Sequence, residues 1–370
     1  MAPVPDQKVR YAVVGAGWIS QEGLLPGVAH TGNSAVTALV TGTPQKAKVL
    51  GQRYGIPRSC HYEEYDSLLD SGEVDAIYLA LPNTMHRNYA VRALSKGIHV
   101  LCEKPMATTE EDCQDMILAA EHGRAKLMIA YRLHFEPATI AALEIVRSGT
   151  IGTPRLFSSV FTQHVSERNH RSKGEYWAGP LADMGPYPIN AARHLFEAEP
   201  VEVMAASARR PEPKFKTIDE TVAVTLRFPD DRLAQFTVSF GANPVDEYRI
   251  VGTKGDLQVS PGYMFGTALK HRLTVGTNVK EREFPAVDQF GGELKYFSEC
   301  VLADKQPEPD GREGLADVCV LQAIERSLRM GAPQPVRVPD APTRPSYDHA
   351  IELDLIETPE LVDAARPDVG

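Results

Sequence analysis

The sequence predicts an α/β protein of two domains: a parallel sheet with helices on both faces, then an α+β domain with a large, mainly antiparallel open sheet. Three observations lead there. Up to Tyr131, short apolar runs alternate with helix-length stretches, the order of a parallel sheet with crossover helices. From Val201 onward, strand-like runs follow one another without long helices. The chain has 370 residues, more than one ordinary domain holds and comfortable for two.

Each element follows in order. Tyr11–Val14 is a buried strand running into Gly15-Ala16-Gly17, and Leu24–His30 lies on the next helix. Ser34–Thr41 is the second strand and Pro44–Tyr54 the helix after it, ending before Gly55. Val74–Leu81 is a third strand, closed by Pro82; His86–Lys96 is a helix with Gly97 as its cap. Ile98–Cys102 is the fourth strand, Glu110–His122 a helix and Lys126–Tyr131 the fifth strand. Pro137–Arg147 and a stretch within Asp183–Phe196 are helical. Strands are then expected at Val201–Ser207, Thr221–Phe228, Leu233–Phe240, Glu247–Val251 and Asp256–Val259, with a hairpin turn at Asp230-Asp231 and a late helix at Ala316–Met330. The expected division is 1–132 for the dinucleotide-binding domain, 133–336 for substrate binding and oligomerisation, and 337–370 for a Pro-rich, acidic tail.

Composition narrows the function. Hydrophobic residues at 43% and charged residues at 24% are those of a folded globular protein. A net charge of −10 repels phosphate backbones, so no nucleic-acid partner is expected. The five cysteines, Cys60, Cys102, Cys113, Cys300 and Cys319, have neither metal-ligand spacing nor a disulfide framework, so free thiols and no metal are expected. Met1–Arg10 lacks the apolar core of a signal peptide, and no apolar run approaches the ~20 residues that span a bilayer. A cytoplasmic location and no membrane association are expected.

Gly15-Ala16-Gly17-Trp18-Ile19-Ser20 forms a G-x-G-x-x-S turn between strand and helix. Two glycines allow a tight turn and close approach of a pyrophosphate, and the helix N-terminus offers free N–H groups. Ser20 stands where a third glycine would ease helix packing. At the end of the second strand, Thr41-Gly42-Thr43 carries no acid to accept from a ribose 2′-hydroxyl. The threonine hydroxyls and Lys46 suit a 2′-phosphate, so NADP is preferred over NAD.

Leu81-Pro82-Asn83-Thr84-Met85-His86 and Cys102-Glu103-Lys104-Pro105 complete a wider pattern. From about Val9 to Arg337 the chain resembles the glucose–fructose oxidoreductase and inositol dehydrogenase family, with an N-terminal Rossmann domain. It is most similar to the glucose–fructose oxidoreductase branch at Ala38–Lys48, Cys102–Cys113, Leu127–Pro137 and Asp183–Asn190. The resemblance implies that Gly15, Gly17, Trp18, Ile19, Thr41, Gly42, Thr43, Lys46, Pro82, Asn83, His86 and Glu103 serve the cofactor. Lys104 and Arg132 would lie near the nicotinamide and the substrate, and Pro105 would follow a cis peptide bond. Asp183 and Tyr187 would form the tyrosine version of the family's D-x-x-x-H pattern.

That assignment makes chemical sense. Removing hydride from an alcohol requires a base for its hydroxyl proton. Tyrosine, with an ordinary pKa of about 10, serves when a lysine ammonium favours its phenolate. Lys104, Tyr187 and Asp183 are therefore the catalytic candidates, with Asp183 orienting Lys104 or holding a sugar hydroxyl. Lys104, Arg132, Trp177, Asp183 and Tyr187 are the substrate-binding candidates; Trp177 would offer an aromatic wall to a pyranose. His134, Glu136 and His164 are expected to be structural or at the rim. The expected activity is hydride transfer between C1 of a cyclic aldose and NADP, either alone or coupled to reduction of a second sugar on retained cofactor. A dihydrodiol or polyol dehydrogenase and a non-catalytic NADP sensor are the alternatives. Two departures from the branch stand out. With about eight residues before the first strand, an arm that retains the cofactor is not expected, and Ala178–Ala182 stands where the branch has a glycine triplet. A homodimer or homotetramer through the C-terminal sheet is expected.

Overall fold

The computed structural model describes residues 7–339 and 343–368. The chain forms two compact units: Met1–Arg132 with Asp288–Gly314 and Ile351–Arg366, and Leu133–Val287 with Leu315–Ala350 and Pro367–Gly370. The stretch 337–370 is thus shared between the units; its residues 340–342 and 369–370 lie outside the described ones, as do 1–6.

The first unit holds β1 (Val9–Val14), α1 (Leu25–Thr31), β2 (Ser34–Val40), α2 (Pro44–Tyr54), β3 (Arg58–Cys60), α3 (Tyr65–Leu69), β4 (Ala76–Leu79), α4 (His86–Leu94), β5 (His99–Cys102), α5 (Glu110–Gly123) and β6 (Leu127–Ile129). Its six strands are parallel in the order β3-β2-β1-β4-β5-β6. The order reverses between β1 and β4, the switch point at which open α/β sheets bind ligands. Strand β4 is buried along its whole length, as a strand covered on both faces must be. Local signals bound α2 and α5, whereas α4 ends at Leu94 with Ser95, not the expected Gly97, as its cap. Gly55 caps α2 at φ +64°, and the Thr109 side chain caps α5 by accepting from the Asp112 N–H at 3.0 Å.

Three elements of this unit were missed in the sequence, among them the five-residue helix α3. Strand β3 is only three residues long. Helix α9 (Gln289–Leu302) comes back from far along the chain to pack on α1. Glycines make that approach possible: a Cβ at Gly23 would lie 2.8 Å from the Phe290 ring, and one at Gly27 2.9 Å from the Gly291 nitrogen. The buried Tyr11 hydroxyl and Ser298 Oγ, 2.8 Å apart, tie α9 to β1.

The second unit contains α6 (Pro137–Arg147), β7 (Pro154–Thr162), α7 (Pro180–Met184), α8 (Pro186–Phe196), β8 (Glu202–Ala208), β9 (Thr221–Phe228), β10 (Arg232–Ser239), β11 (Val245–Gly252), β12 (Gly255–Val259), β13 (Leu269–Val275), β14 (Asn278–Phe284) and β15 (Gln334–Pro335). Most of α10 (Gly311–Met330) belongs to it as well. The nine strands run β14-β13-β12-β11-β7-β10-β9-β8-β15, antiparallel except for the pair β7 and β10. Asp230 and Asp231, with φ of +60° and +53°, make the tight turn between β9 and β10.

Alternation decides the two faces. Phe157, Val224, Phe236 and Ile250 enter a core with Ile189, Leu195, Val320 and Ile324 of α8 and α10. The opposite face carries Ser158, Val160, Met204, Ala206, Ala223, Thr225, Gln235 and Thr237, which line a shallow concavity. Strands β7, β13, β14 and the two-residue β15 were not anticipated. β13 and β14 form a charged hairpin at the sheet edge, where polarity protects an unpaired strand. Among the described residues no helix is long and apolar enough to cross a membrane, and the five cysteines are free and buried.

Candidate functional site

In the first unit the chain leaves β1 through Gly15, where φ is +98° and a Cβ would lie 2.4 Å from the Ala80 carbonyl oxygen; only glycine fits. At Gly17 a Cβ would meet nothing within 4 Å, so open space lies over the loop. The Ser20 hydroxyl donates to the Gly15 carbonyl at 2.6 Å, and Gln21 Nε2 donates to the Ala16 carbonyl at 2.9 Å. Both carbonyls are thereby engaged by the turn Ser20–Leu24, which runs into α1. Trp18 and Ile19 are half-buried, and the Trp18 indole N–H donates to Glu22 at 2.5 Å.

At the end of β2, Thr41 is buried and its Oγ1 accepts from the Thr43 N–H at 3.4 Å. The Thr41 hydroxyl is therefore turned into its own loop, and Gly42 and Thr43 are left closer to solvent. Lys46 stands in the first turn of α2 with its side chain only 12% exposed. His61 and Tyr62, which sequence reasoning missed, flank Gly42: a Cβ there would lie 3.4 Å from Tyr62 and 3.5 Å from His61. They follow the three-residue strand β3, which is too short to leave a periodic signal. Open space over the glycine loop, a lysine beside the strand end and no acid there fit a dinucleotide with a 2′-phosphate.

At the carboxyl end of β5, the Lys104–Pro105 peptide is cis. His86 is fully buried, with one ring nitrogen 3.0 Å from the Pro105 carbonyl and the other 2.8 Å from that of Leu81. It ties the two loops that follow β4 and β5. Burial holds its pKa below the ordinary value against the pull of those carbonyls. Pro82 and Asn83 lie half-buried in the loop it fastens. Glu103 accepts from the Tyr78 hydroxyl at 2.5 Å and from the Lys104 N–H at 3.3 Å. Burial pushes its carboxyl up, with Lys104, then the Tyr78 hydrogen bond, then Arg132 opposing. Glu293 on α9 is fully buried and neither of its side-chain oxygens has a hydrogen-bond partner. Burial and the nearby Glu103 charge push it well above the carboxylate range. Arg132 is buried as well; its guanidinium donates to Gln289 and covers the Phe290 ring at 5.9 Å. Tyr78 and Glu293 escaped the sequence reading because a tyrosine in a buried strand and a glutamate in a distant helix look like core and surface.

In the second unit, Asp183 and Tyr187 lie on two short helices, α7 and α8. Gly185 joins them with φ −55° and ψ −37°, so right-handed helical geometry continues and the i, i+4 relation holds. Asp183 Oδ1 is 3.2 Å from Arg171 Nε, and Oδ2 accepts from Gln163 Nε2 at 3.4 Å. Tyr187 is half-buried, its ring edge-on to Phe161 at 5.5 Å and tilted against Tyr263 at 5.8 Å. Arg171 and Gln163 were missed, since neither belongs to a regular pattern.

The remaining candidates take structural places. Trp177 packs against the core, and its indole N–H donates to Glu325 at 2.5 Å. His134 is within 2.8 Å of Asn190 Oδ1 and edge-on to His194. Asn190 donates to Asp317 at 3.5 Å, and Asp317 pairs with the buried Arg193 at 2.5 Å. Glu136 caps α6 by accepting from the Thr139 N–H at 2.7 Å, and His164 is exposed.

Comparison with known proteins agrees with this architecture. The oxidoreductase family with an NAD-binding Rossmann fold matches residues 9–131, and the GFO/IDH/MocA C-terminal domain matches residues 139–258. D-xylose 1-dehydrogenase [NADP(+)] of Haloarcula marismortui is 32% identical over 326 residues, 86% of this chain and 91% of that protein. Trans-1,2-dihydrobenzene-1,2-diol dehydrogenase of Bos taurus is 26% identical over 341 residues, 88% of this chain and 98% of that protein. Among solved structures, aldose-aldose oxidoreductase from Caulobacter crescentus complexed with glycerol superposes with a TM-score of 0.84 at 35% identity, covering 89% of this chain and all of that one.

Proposed function

This chain belongs to the GFO/IDH/MocA family of oxidoreductases, and we propose that it transfers hydride between C1 of a cyclic aldose and NADP, with the lactone as the oxidised product. The observation that carries the reading is Lys104, placed at the carboxyl end of β5 beside the switch point of the first unit's parallel sheet. The relatives named as an NADP(+)-dependent xylose dehydrogenase and an aldose-aldose oxidoreductase support the cofactor and the substrate class.

Bound NADP supplies the hydride acceptor, and in its reduced form the donor. The protein's residues manage the rest. The glycine loop would hold the pyrophosphate, and Thr43 and Lys46 would hold the 2′-phosphate. Oxidation at C1 frees the proton of the reacting hydroxyl; Tyr187 takes it, and returns it in the reverse direction. The Lys104 ammonium would stabilise negative charge on the reacting oxygen. Asp183, held by Arg171 and Gln163, binds a further sugar hydroxyl. Diol or polyol oxidation by the same residues is the second reading, favoured by the dihydrodiol dehydrogenase relative.

The test is the absorbance of the reduced nicotinamide band in protein carrying NADP, before and after an aldose is added. Growth of the band with an aldose supports the proposal. Growth with a diol and with no aldose supports the second reading, and no change with either leaves a non-catalytic dinucleotide sensor.

The second unit's open sheet face is assigned to a second copy of this chain. Leu156, Val160, Met204 and Leu233 are 50%, 36%, 54% and 37% exposed on that sheet, apolar side chains that a second copy would cover. The five free, buried thiols suit a reducing compartment such as the cytoplasm.

A further inference from the structure

The segment Glu360–Arg366 lies on the first unit, far in sequence from the residues it meets. It touches the two walls of the place where the ribose phosphate end of a dinucleotide is expected. On one wall the buried Gln21 holds Val362 at two points: Gln21 Nε2 donates to the Val362 carbonyl at 3.0 Å, and the Val362 N–H donates to Gln21 Oε1 at 2.7 Å. The same Nε2 reaches the Ala16 carbonyl inside the glycine loop at 2.9 Å, so one side chain joins the phosphate loop to the segment. Arg366 Nε donates to Glu22 Oε2 at 2.8 Å. On the other wall Arg53 donates to the Glu360 carbonyl at 2.5 Å, and Asp363 stands 3.8 Å from Lys46. The chain turns at Asp363 with φ +44°, in the left-handed region that aspartate tolerates better than most residues.

We propose that Glu360–Arg366 is a latch across the ribose phosphate end of the NADP site, and that Asp363 is the acid a 2′-phosphate must displace from Lys46. The inference rests on the reading that this unit binds NADP. A segment fastened by Gln21 and Glu22 on one wall and by Arg53 on the other has to let go on one side before the nucleotide can leave. Release is then limited by local opening of the segment. Asp363 acts differently. It does not hold the nucleotide; its carboxylate repels a phosphate and shares the lysine that would bind it. The latch therefore slows exchange of either nicotinamide cofactor, whereas Asp363 weakens only the phosphorylated one.

The experiment measures release of bound NADPH by stopped-flow displacement with excess NADP, followed by the fluorescence of the reduced nicotinamide. It compares the intact chain, a chain ended after Pro359, and Arg366→Ala. Release should be at least about tenfold faster in the shortened chain and several-fold faster in Arg366→Ala, since local opening then breaks fewer contacts. Asp363→Asn should bind NADP about three- to tenfold more tightly with NAD affinity unchanged. If the shortened chain does not fold, Arg366→Ala and Asp363→Asn decide the question. Release rates within a factor of about two across the folded chains, together with an unchanged ratio of NADP to NAD affinity in Asp363→Asn, would overturn the latch alone. Absence of NADPH binding by the intact chain would overturn the latch and the NADP reading together.

Discussion

Arg171 holds Asp183, its Nε 3.2 Å from Oδ1, with the two side chains 17% and 19% exposed. A pair so largely removed from water leaves a charge without its counterpart when one member is cut back. We expect Arg171→Ala to lower turnover with an aldose by about tenfold, roughly 1.4 kcal/mol at the transition state. Arg171→Lys should recover part of the loss. NADP affinity, read by fluorescence titration, should stay constant in both variants. A change in cofactor affinity with turnover intact would move Asp183 out of the substrate's surroundings.

Tyr187→Phe keeps the ring that packs on Phe161 and Tyr263 and removes the hydroxyl. Single-turnover reduction of bound NADP by an aldose should slow by about 10²–10⁴-fold, the range for a general acid–base group. Lys104→Ala should cost at least as much. If the two act as one unit, as proposed, the double variant should lose less than the product of the two factors. A near-normal single-turnover rate in Tyr187→Phe would make Tyr187 a packing residue.

Lys46 is the cation beside the end of β2, and its side chain is 12% exposed. Lys46→Ala should cut NADP affinity by about tenfold and leave NAD affinity nearly unchanged, as expected for one charge-assisted contact to a phosphate. The ratio of the two dissociation constants is the measurement. Equal losses for both cofactors would place the 2′-phosphate elsewhere.

Val160 and Ala223 lie on the open face of the second unit's sheet. Replacing both by glutamate puts like charges from two copies against each other at a symmetric interface. The native chain should sediment as a dimer or tetramer at micromolar concentration, and Val160→Glu/Ala223→Glu as a smaller species with unchanged melting cooperativity. A native chain that sediments as a monomer would rule the interface out.

His271 is buried against Phe284, with rings 4.6 Å apart and Nε2 unpartnered. Burial, with Arg282 adding repulsion, pulls its pKa from the ordinary 6.5 down to about 4. The folded state thus favours neutral imidazole. Its contribution to stability is complete above pH 6.5 and is lost as the pH falls toward 4, up to about 3 kcal/mol. Melting temperature should drop between pH 7 and 4.5, and His271→Phe should shallow that drop. An identical pH profile in the variant would show that His271 ionises freely in the folded chain.

Much of the first unit is legible because its signals are local. A buried strand must be apolar throughout, its helix must be amphipathic, and the turn between must be glycine where φ is positive. Gly15 meets all of these within a few residues. Helix α9 shows the opposite case. Its Gly291-Gly292 start and mixed composition look unremarkable until Gly23 and Gly27 of a helix nearly 270 residues earlier are set against it. Strand β7 was missed for the same reason. Its partner residues on β10 and β11 lie 77–98 positions downstream, and two serines blur an alternation that only those partners make meaningful.

The candidate site divides along the same line. Residue types and spacings within a motif, such as Gly15 with Gly17, Glu103-Lys104-Pro105, and Asp183 with Tyr187, are carried by the chain's own order. Residue partners are not. That Arg171 pairs with Asp183, that Tyr78 donates to Glu103, that Thr41 turns inward while Lys46 stays beside the strand end, and that Asp363 reaches Lys46 were decided by tertiary structure. Local geometry depends on backbone torsions a few residues long, which the sequence specifies directly. A contact between distant residues depends on where whole strands and helices pack, and burial, hydrogen bonding and charge select that packing collectively rather than residue by residue.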